Sequence, residues 1–276
     1  MRDLPSSSKS GILLYSVLLL RIVVCCYKVI PAFLGAMRSA QSGSLQEKYY
    51  FENLSKLIKV VGQHIRNHLP PVLALIRDSW SPGNPSLQVI IVDLVEKIAV
   101  ALEGEFRIHL PTFLPLMLTS FDLELTDRRI PALQRILHAF GVFGANLEEY
   151  LHLVIPVIVR TFERSDAPLP LRRHAIQVTG LLCRKINFSD HASRVIHPLV
   201  RVLTFGPPEL RNDIMDALCS LVSQIGSDFA IFVPVINKVR TICFTVFRRC
   251  YHVAKSCDDR SAWYRIGYST RITTIS

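Results

Sequence analysis

A short apolar phrase with a proline set into it recurs along the chain. It reads Lys28-Val29-Ile30-Pro31, His68-Leu69-Pro70-Pro71, His109-Leu110-Pro111, Val154-Ile155-Pro156, Val195-Ile196-His197-Pro198 and Phe232-Val233-Pro234. The prolines at 31, 71, 111, 156, 198 and 234 lie 40, 40, 45, 42 and 36 residues apart. Before each of the last five stands a helix-ending residue, Gly62, Gly104, Gly144, Asn187 or Gly226. Before that comes an apolar helical stretch opening at Leu45, Leu87, Ile130, Leu171 or Leu210. A unit of about 40 residues with two helices and a turn cannot bury its apolar face alone, and must stack on further units like itself.

Paired helices at this period are the mark of HEAT and armadillo arrays. The expected fold is all-α, an α-solenoid of about five HEAT/armadillo-like helix pairs. Residues 1–44 should hold an N-terminal apolar helix and a partial repeat. Residues 45–239 should form the solenoid, in units at about 45–80, 87–121, 128–164, 171–205 and 209–239. Residues 240–276 read as a basic, disordered tail.

Local signals support the units. Ser44-Leu45-Gln46-Glu47 spells a capping box, in which serine and glutamate serve each other's orphan backbone donors. The helix it starts should run to Val61, where Gly62 permits a positive φ, and its partner should run from Pro70 to Trp80. Ser81-Pro82-Gly83-Asn84-Pro85-Ser86 cannot continue a helix, and Ser86 can cap the next one. Leu87 to Glu103 is apolar around most of its circumference, so it should be sandwiched between neighbours. Pro111 and Pro115 should fall early in its partner helix, and Thr126 or Asp127 should cap a helix over Ile130–Phe143. Asn146-Leu147-Glu148-Glu149 looks like a second capping box; a helix starting there would carry Pro156 inside it. In the fifth unit Leu210, Ile214, Ala217, Leu218, Leu221, Val222 and Ile225 share one helical face, with Asp213 and Asp216 on the other.

The net charge of +10 raises nucleic acid as a partner until the charge is located. Residues 1–44 carry five Lys/Arg against one Asp, and 240–276 carry seven against two. The repeat body from 45 to 239 holds 20 basic and 19 acidic residues, so it offers no phosphate-binding groove and nucleic acid is not expected. Ile12 to Tyr27 is apolar except for Ser16 and Arg21, which invites a targeting or membrane reading. The run is short for a span and Arg21 would sit near its middle, so the first helix of a partial repeat is the better reading. Seven cysteines with no Cys-x-x-Cys pair fit reduced thiols in a cytoplasmic protein.

No chemistry stands out. Gly141-Val142-Phe143-Gly144 is a helix stop before it is a phosphate cradle. His64 and His68 could share a helical face, but no third metal ligand accompanies them. Cys243, Cys250 and Cys257 recur every seven residues beside His252, yet within the irregular tail. Glu148 with Glu149, and Asp213 with Asp216, could pose as acid–base pairs, but helix starts and solvated faces favour acids anyway. Arg128-Arg129 and Arg172-Arg173 could form a rim ladder for an acidic partner, and a solvated edge explains them as well. No catalytic, cofactor or metal site is expected.

The wording inside the repeats is more specific than their spacing. Gly104-Glu105-Phe106-Arg107-Ile108-His109-Leu110-Pro111, Phe143-Gly144-Ala145-Asn146-Leu147-Glu148-Glu149-Tyr150-Leu151-His152-Leu153, Ala192-Ser193-Arg194-Val195-Ile196-His197-Pro198 and Val233-Pro234-Val235-Ile236-Asn237-Lys238-Val239 resemble the HEAT region of target-of-rapamycin (TOR) protein kinases. The similarity runs from about Cys25 to Val239. The resemblance implies a piece of the HEAT array of a giant cytosolic serine/threonine kinase that controls growth in response to nutrients. Such arrays dock regulatory subunits, so the expected partners are proteins, among them other solenoid segments of the complex. The kinase domain lies outside the resemblance, so no catalytic residue carries over and the expected role is a non-catalytic scaffold. The expected location is cytoplasmic, with nuclear or endomembrane association through a complex left open. A general HEAT adaptor of the phosphatase-scaffold or transport-receptor type is the other reading.

Overall fold

The computed structural model describes residues 28–39, 41, 43–226 and 231–232. The segment Ile12–Tyr27, the expected tail at 240–276 and the cysteine trio with His252 lie outside the described residues. Among these residues ten α-helices follow one another: α1 Ile30–Arg38, α2 Leu45–Val61, α3 Leu69–Ser79, α4 Pro85–Leu102, α5 Leu110–Thr119, α6 Ile130–Phe143, α7 Leu151–Glu163, α8 Leu169–Cys183, α9 Ala192–Phe205 and α10 Arg211–Ile225. No strand occurs among the described residues. The fold of the described residues is all-α and of α-solenoid class, with the longer helices packed mainly on the helix two places along in the order.

Contacts divide the chain into two compact units, one of residues up to Ser120 with Thr126–Phe143, the other of Phe121–Leu125 with Gly144 onward. In the first unit α4 packs against α2 on one side and α6 on the other. This accounts for its nearly all-round apolar surface: Leu87, Ile91, Val92, Leu94, Val95 and Ile98 are all buried. In the second unit α10 packs on α8, and α8 on α7. There α8 carries Gly180, whose absent Cβ would lie 3.2 Å from the Cα of Ala217, so the two backbones approach more closely than a side chain would allow.

Each of the first three helix pairs is joined by a seven-residue 3-10 segment: Gly62–His68, Glu103–His109 and Gly144–Tyr150. Ile65, Phe106 and Leu147 are the buried middle of these segments, and Phe188 holds the same place in the fourth pair. These anchors sit 41 residues apart. The same interval relates Val72, Phe113, Val154 and Val195, and again Ile76, Met117, Ile158 and Leu199, all buried. Phe106 shows what an anchor does: its ring lies 6.1 Å from that of Phe113 and 5.0 Å from that of Phe143. The prolines scatter around the period because they change place within their helices. Pro31, Pro70 and Pro111 stand in the first two positions, where the missing N–H costs least, whereas Pro115, Pro156 and Pro198 lie inside helices.

Several local expectations shift. The Ser44 hydroxyl accepts from Glu47 N at 3.1 Å, but the Glu47 carboxylate reaches Gly43 N at 2.6 Å, one residue before the box predicts. Asn84, not Ser86, caps α4: its Oδ1 accepts from Leu87 N at 3.2 Å, and Pro85 enters as the first helical residue with its φ already helical. The α-helix after Asn146–Glu149 begins at Leu151, because that stretch is spent in the 3-10 turn that buries Leu147. Helix α8 ends at Cys183 rather than Asn187, whose side chain instead accepts from Ser189 N at 3.0 Å in the following turn.

The most informative shift is at the end of α4. Gly62 and Gly226 end α2 and α10 at φ 57°, ψ −133° and φ 60°, ψ −127°. The equivalent residue of α4 is Glu103, at φ 52°, ψ −122°, not the neighbouring Gly104. An L-residue in this region is strained by about 1–3 kcal/mol. Glu103→Gly should therefore stabilise the protein by about 1 kcal/mol after the added unfolded-state entropy of glycine is subtracted. Glu103→Ala, which removes the carboxylate and keeps the strain, should give no such rise in thermal midpoint.

Candidate functional site: polar rungs between successive repeats

The polar side chains that pair across the stack do so about one repeat apart. In the first unit Ser55 of α2 donates to Asp93 Oδ2 of α4 at 2.5 Å. Asp93 also faces Lys97 Nζ at 3.4 Å. From α6, Arg135 Nη2 bridges Asp93 and Glu96, lying 2.6 Å from Glu96 Oε2. His138 Nδ1 lies 3.0 Å from Glu96 Oε1. Successive 3-10 segments are joined by a two-pronged pair, Arg66 to Glu105, with both bonds at 2.7 Å.

In the second unit Asp213 of α10 pairs with Arg173 at 3.2 Å and accepts from Gln177 Nε2 at 2.8 Å, both on α8. Gln224 staples the end of α8. Its Nε2 donates to the carbonyls of Cys183, at 2.8 Å, and Ile186, while its Oε1 accepts from Phe188 N at 2.9 Å. These rungs satisfy polar groups that stacking would otherwise bury unpaired, and they fix the register of one repeat on the next.

Glu96 is the most deeply buried charge among the described residues, with 4% of its side chain exposed. Burial raises its carboxyl pKa above the ordinary 4.5, against the lowering by the His138 hydrogen bond and by Arg135. A carboxyl that holds its proton more tightly folded than unfolded contributes stability below the unfolded value, and loses it as pH climbs through the folded one. Wild-type stability should thus carry a falling component from pH 4.5 toward neutrality. Glu96→Gln should remove that component, giving a flatter series of urea midpoints over the same range.

An open groove of about 860 Å³ runs between α8 and α10, lined by Gln177, Gly180, Cys183, Asp213, Ala217 and Cys219 among others. Burial pushes the Cys183 thiol up to about 12, so it stays protonated and is no nucleophile at neutral pH.

The sequence candidates fall as follows. Arg172 is buried and its Nε donates to the Phe162 carbonyl at 2.9 Å, while Arg173 is bound to Asp213. Arg172 is therefore structural rather than part of a solvated rim, whereas Arg173 keeps 41% of its side chain exposed. Asp213 faces α8 rather than solvent; Asp216 is exposed. Glu148 and Glu149 are exposed in a 3-10 segment. Gly144, at φ 51°, ends α6 as a stop. His64 and His68 lie in a 3-10 segment, where residues four apart do not share a face. Among the described residues no three His, Cys, Asp or Glu side chains converge as a metal would require. The helical run Ile130–Glu163 is long and apolar enough for a membrane span, but Gly144 interrupts it and 44% of its most apolar window is buried inside the protein.

Arg66, Glu105, Arg135, His138 and Gln224 were not singled out by sequence. The available signal was the period: a polar residue on a buried stripe should find its partner 36–42 residues away.

No protein-family profile matches the chain. Among curated proteins it is similar to the serine/threonine-protein kinase tor1 of Schizosaccharomyces pombe, 43% identical over 212 residues, which is 77% of this chain. It is 38% identical over 219 residues to the serine/threonine-protein kinase TOR2 of Saccharomyces cerevisiae, and 33% over 245 residues to the serine/threonine-protein kinase mTor of Drosophila melanogaster. The matched stretch spans only 9% or 10% of the length of these relatives.

Proposed function

We propose, since the chain is homologous to a short segment of the TOR serine/threonine-protein kinases, that it is a non-catalytic HEAT-repeat docking segment serving such a kinase in nutrient and growth signalling. The carrying observation is that polar side chains facing the stack are spent on holding repeat to repeat, as Arg135 is on Asp93 and Glu96. What remains for binding is outer surface, where a stacked-helix protein meets other proteins. The partners are regulatory subunits or other solenoid segments of a TOR-type complex, in the cytoplasm.

The test is an exchange. The matching segment of the fission-yeast kinase is deleted, or replaced by residues 45–239 of this chain. Deletion should abolish co-precipitation of the regulatory subunits while the kinase domain still phosphorylates a short peptide, and the replacement should restore assembly. Undiminished assembly after deletion, or phosphorylation of the peptide by this chain alone, would overturn the reading.

A further inference from the structure

Ser81 is the only serine or threonine followed by proline in all 276 residues. It lies between α3 and α4, in the loop Ser81-Pro82-Gly83-Asn84, and Ser81, Pro82 and Gly83 are all exposed. Weak bonds hold this loop: Asn84 N to the Ser81 carbonyl at 3.2 Å and Gly83 N to Ser81 Oγ at 3.3 Å. Trp80 N to the Arg77 carbonyl, at 3.3 Å, closes the preceding helix. All three lie at the long edge of hydrogen-bond distances. Opening the turn into an extended segment thus costs little.

Several other hydroxyls among the described residues contrast with it. Ser44 caps α2, Ser55 is buried against Asp93, and Thr161, Thr179, Ser220 and Ser223 donate to helix carbonyls. Ser81 Oγ does no more than accept from Gly83 N.

We propose that Ser81 is a phosphorylation site for a proline-directed serine/threonine kinase. Pro82 supplies the next residue such enzymes require, one with no N–H to satisfy and with a restricted backbone. In the transfer Ser81 Oγ attacks the γ-phosphorus of ATP, the bond from that phosphorus to the β–γ bridging oxygen breaks, ADP leaves, and the hydroxyl proton passes to the kinase's catalytic aspartate. The product adds about two negative charges to the loop. Arg77, one turn earlier, is exposed, and its ion pair is a 3.4 Å approach to the adjacent Asp78, leaving its guanidinium able to turn to the phosphate.

The experiment incubates the full chain with radiolabelled ATP and a purified proline-directed kinase. Label approaching one phosphate per chain is expected, mapped to Ser81 by mass spectrometry. Ser81→Ala should abolish it and Pro82→Ala should lower it at least tenfold, with both variants keeping the wild-type thermal midpoint. Absence of label on the wild-type chain, or label that survives Ser81→Ala, would overturn the assignment.

Discussion

Leu218→Asp is expected to abolish cooperative unfolding of the unit that contains α8 and α10. Leu218 is 0% exposed on the apolar face of α10, a helix that packs on α8. A carboxylate there has no partner, and either its charge is desolvated or it takes up a proton; both routes cost more than about 4 kcal/mol. Leu218→Met keeps volume and polarity and should cost less than about 1.5 kcal/mol. The same helix supplies two internal standards. Asp216→Ala, at an exposed position, should change stability by no more than about 0.5 kcal/mol. Asp213→Ala should fall between, at about 1.5–3 kcal/mol, because it strips the charged acceptor from Gln177 and Arg173. Urea midpoints across the four variants test the order. Equal damage from Leu218→Asp and Asp216→Ala would refute the placement of the apolar face.

That series also shows what was legible in the sequence. The apolar face of α10 could be read by counting offsets from Leu210, because helical geometry places every third or fourth residue on one side. The same geometry put Asp213 and Asp216 opposite it, which holds for Asp216 alone. Asp213 sits at the edge of the stripe, and whether an edge residue meets solvent or a neighbouring helix depends on what stacks beside it. Arg172 differs from expectation for the same reason: a charge near a helix start looks solvated until the adjoining helix supplies Phe162's carbonyl.

Turn chemistry was half legible. Glycine marked the helix ends at Gly62 and Gly226, where positive φ is needed. At α4 it misled, since the strained position falls on Glu103 and Gly104 merely follows it. Only the 41-residue register of Ile65, Phe106 and Leu147 identifies the equivalent residue. Proline was a visible but loose marker of that register, because it is tolerated both at a helix start and, with a bend, inside. The buried anchors keep strict step because each fills one hole in a close-packed stack.

Arg135→Met is the stronger test of how the first unit is held together. In the wild type the guanidinium, 28% exposed, joins Asp93 to the nearly buried Glu96. Removing it leaves Asp93 with Ser55 and Lys97, but leaves Glu96 with His138 alone. Breaking a buried pair by deleting one partner costs about 3–5 kcal/mol, chiefly from the charge left behind. Arg135→Lys should also be costly, because one ammonium cannot reproduce the planar fork that bridges two carboxylates. If the abandoned charge is the cause, removing it should repair the damage. The double variant Arg135→Met with Glu96→Leu is therefore expected to recover most of the lost stability, with a coupling energy of at least about 1 kcal/mol in a double-mutant cycle. A double variant as unstable as the sum of its singles would mean that α4 and α6 are held by their apolar faces alone, and that the rung between them contributes only register.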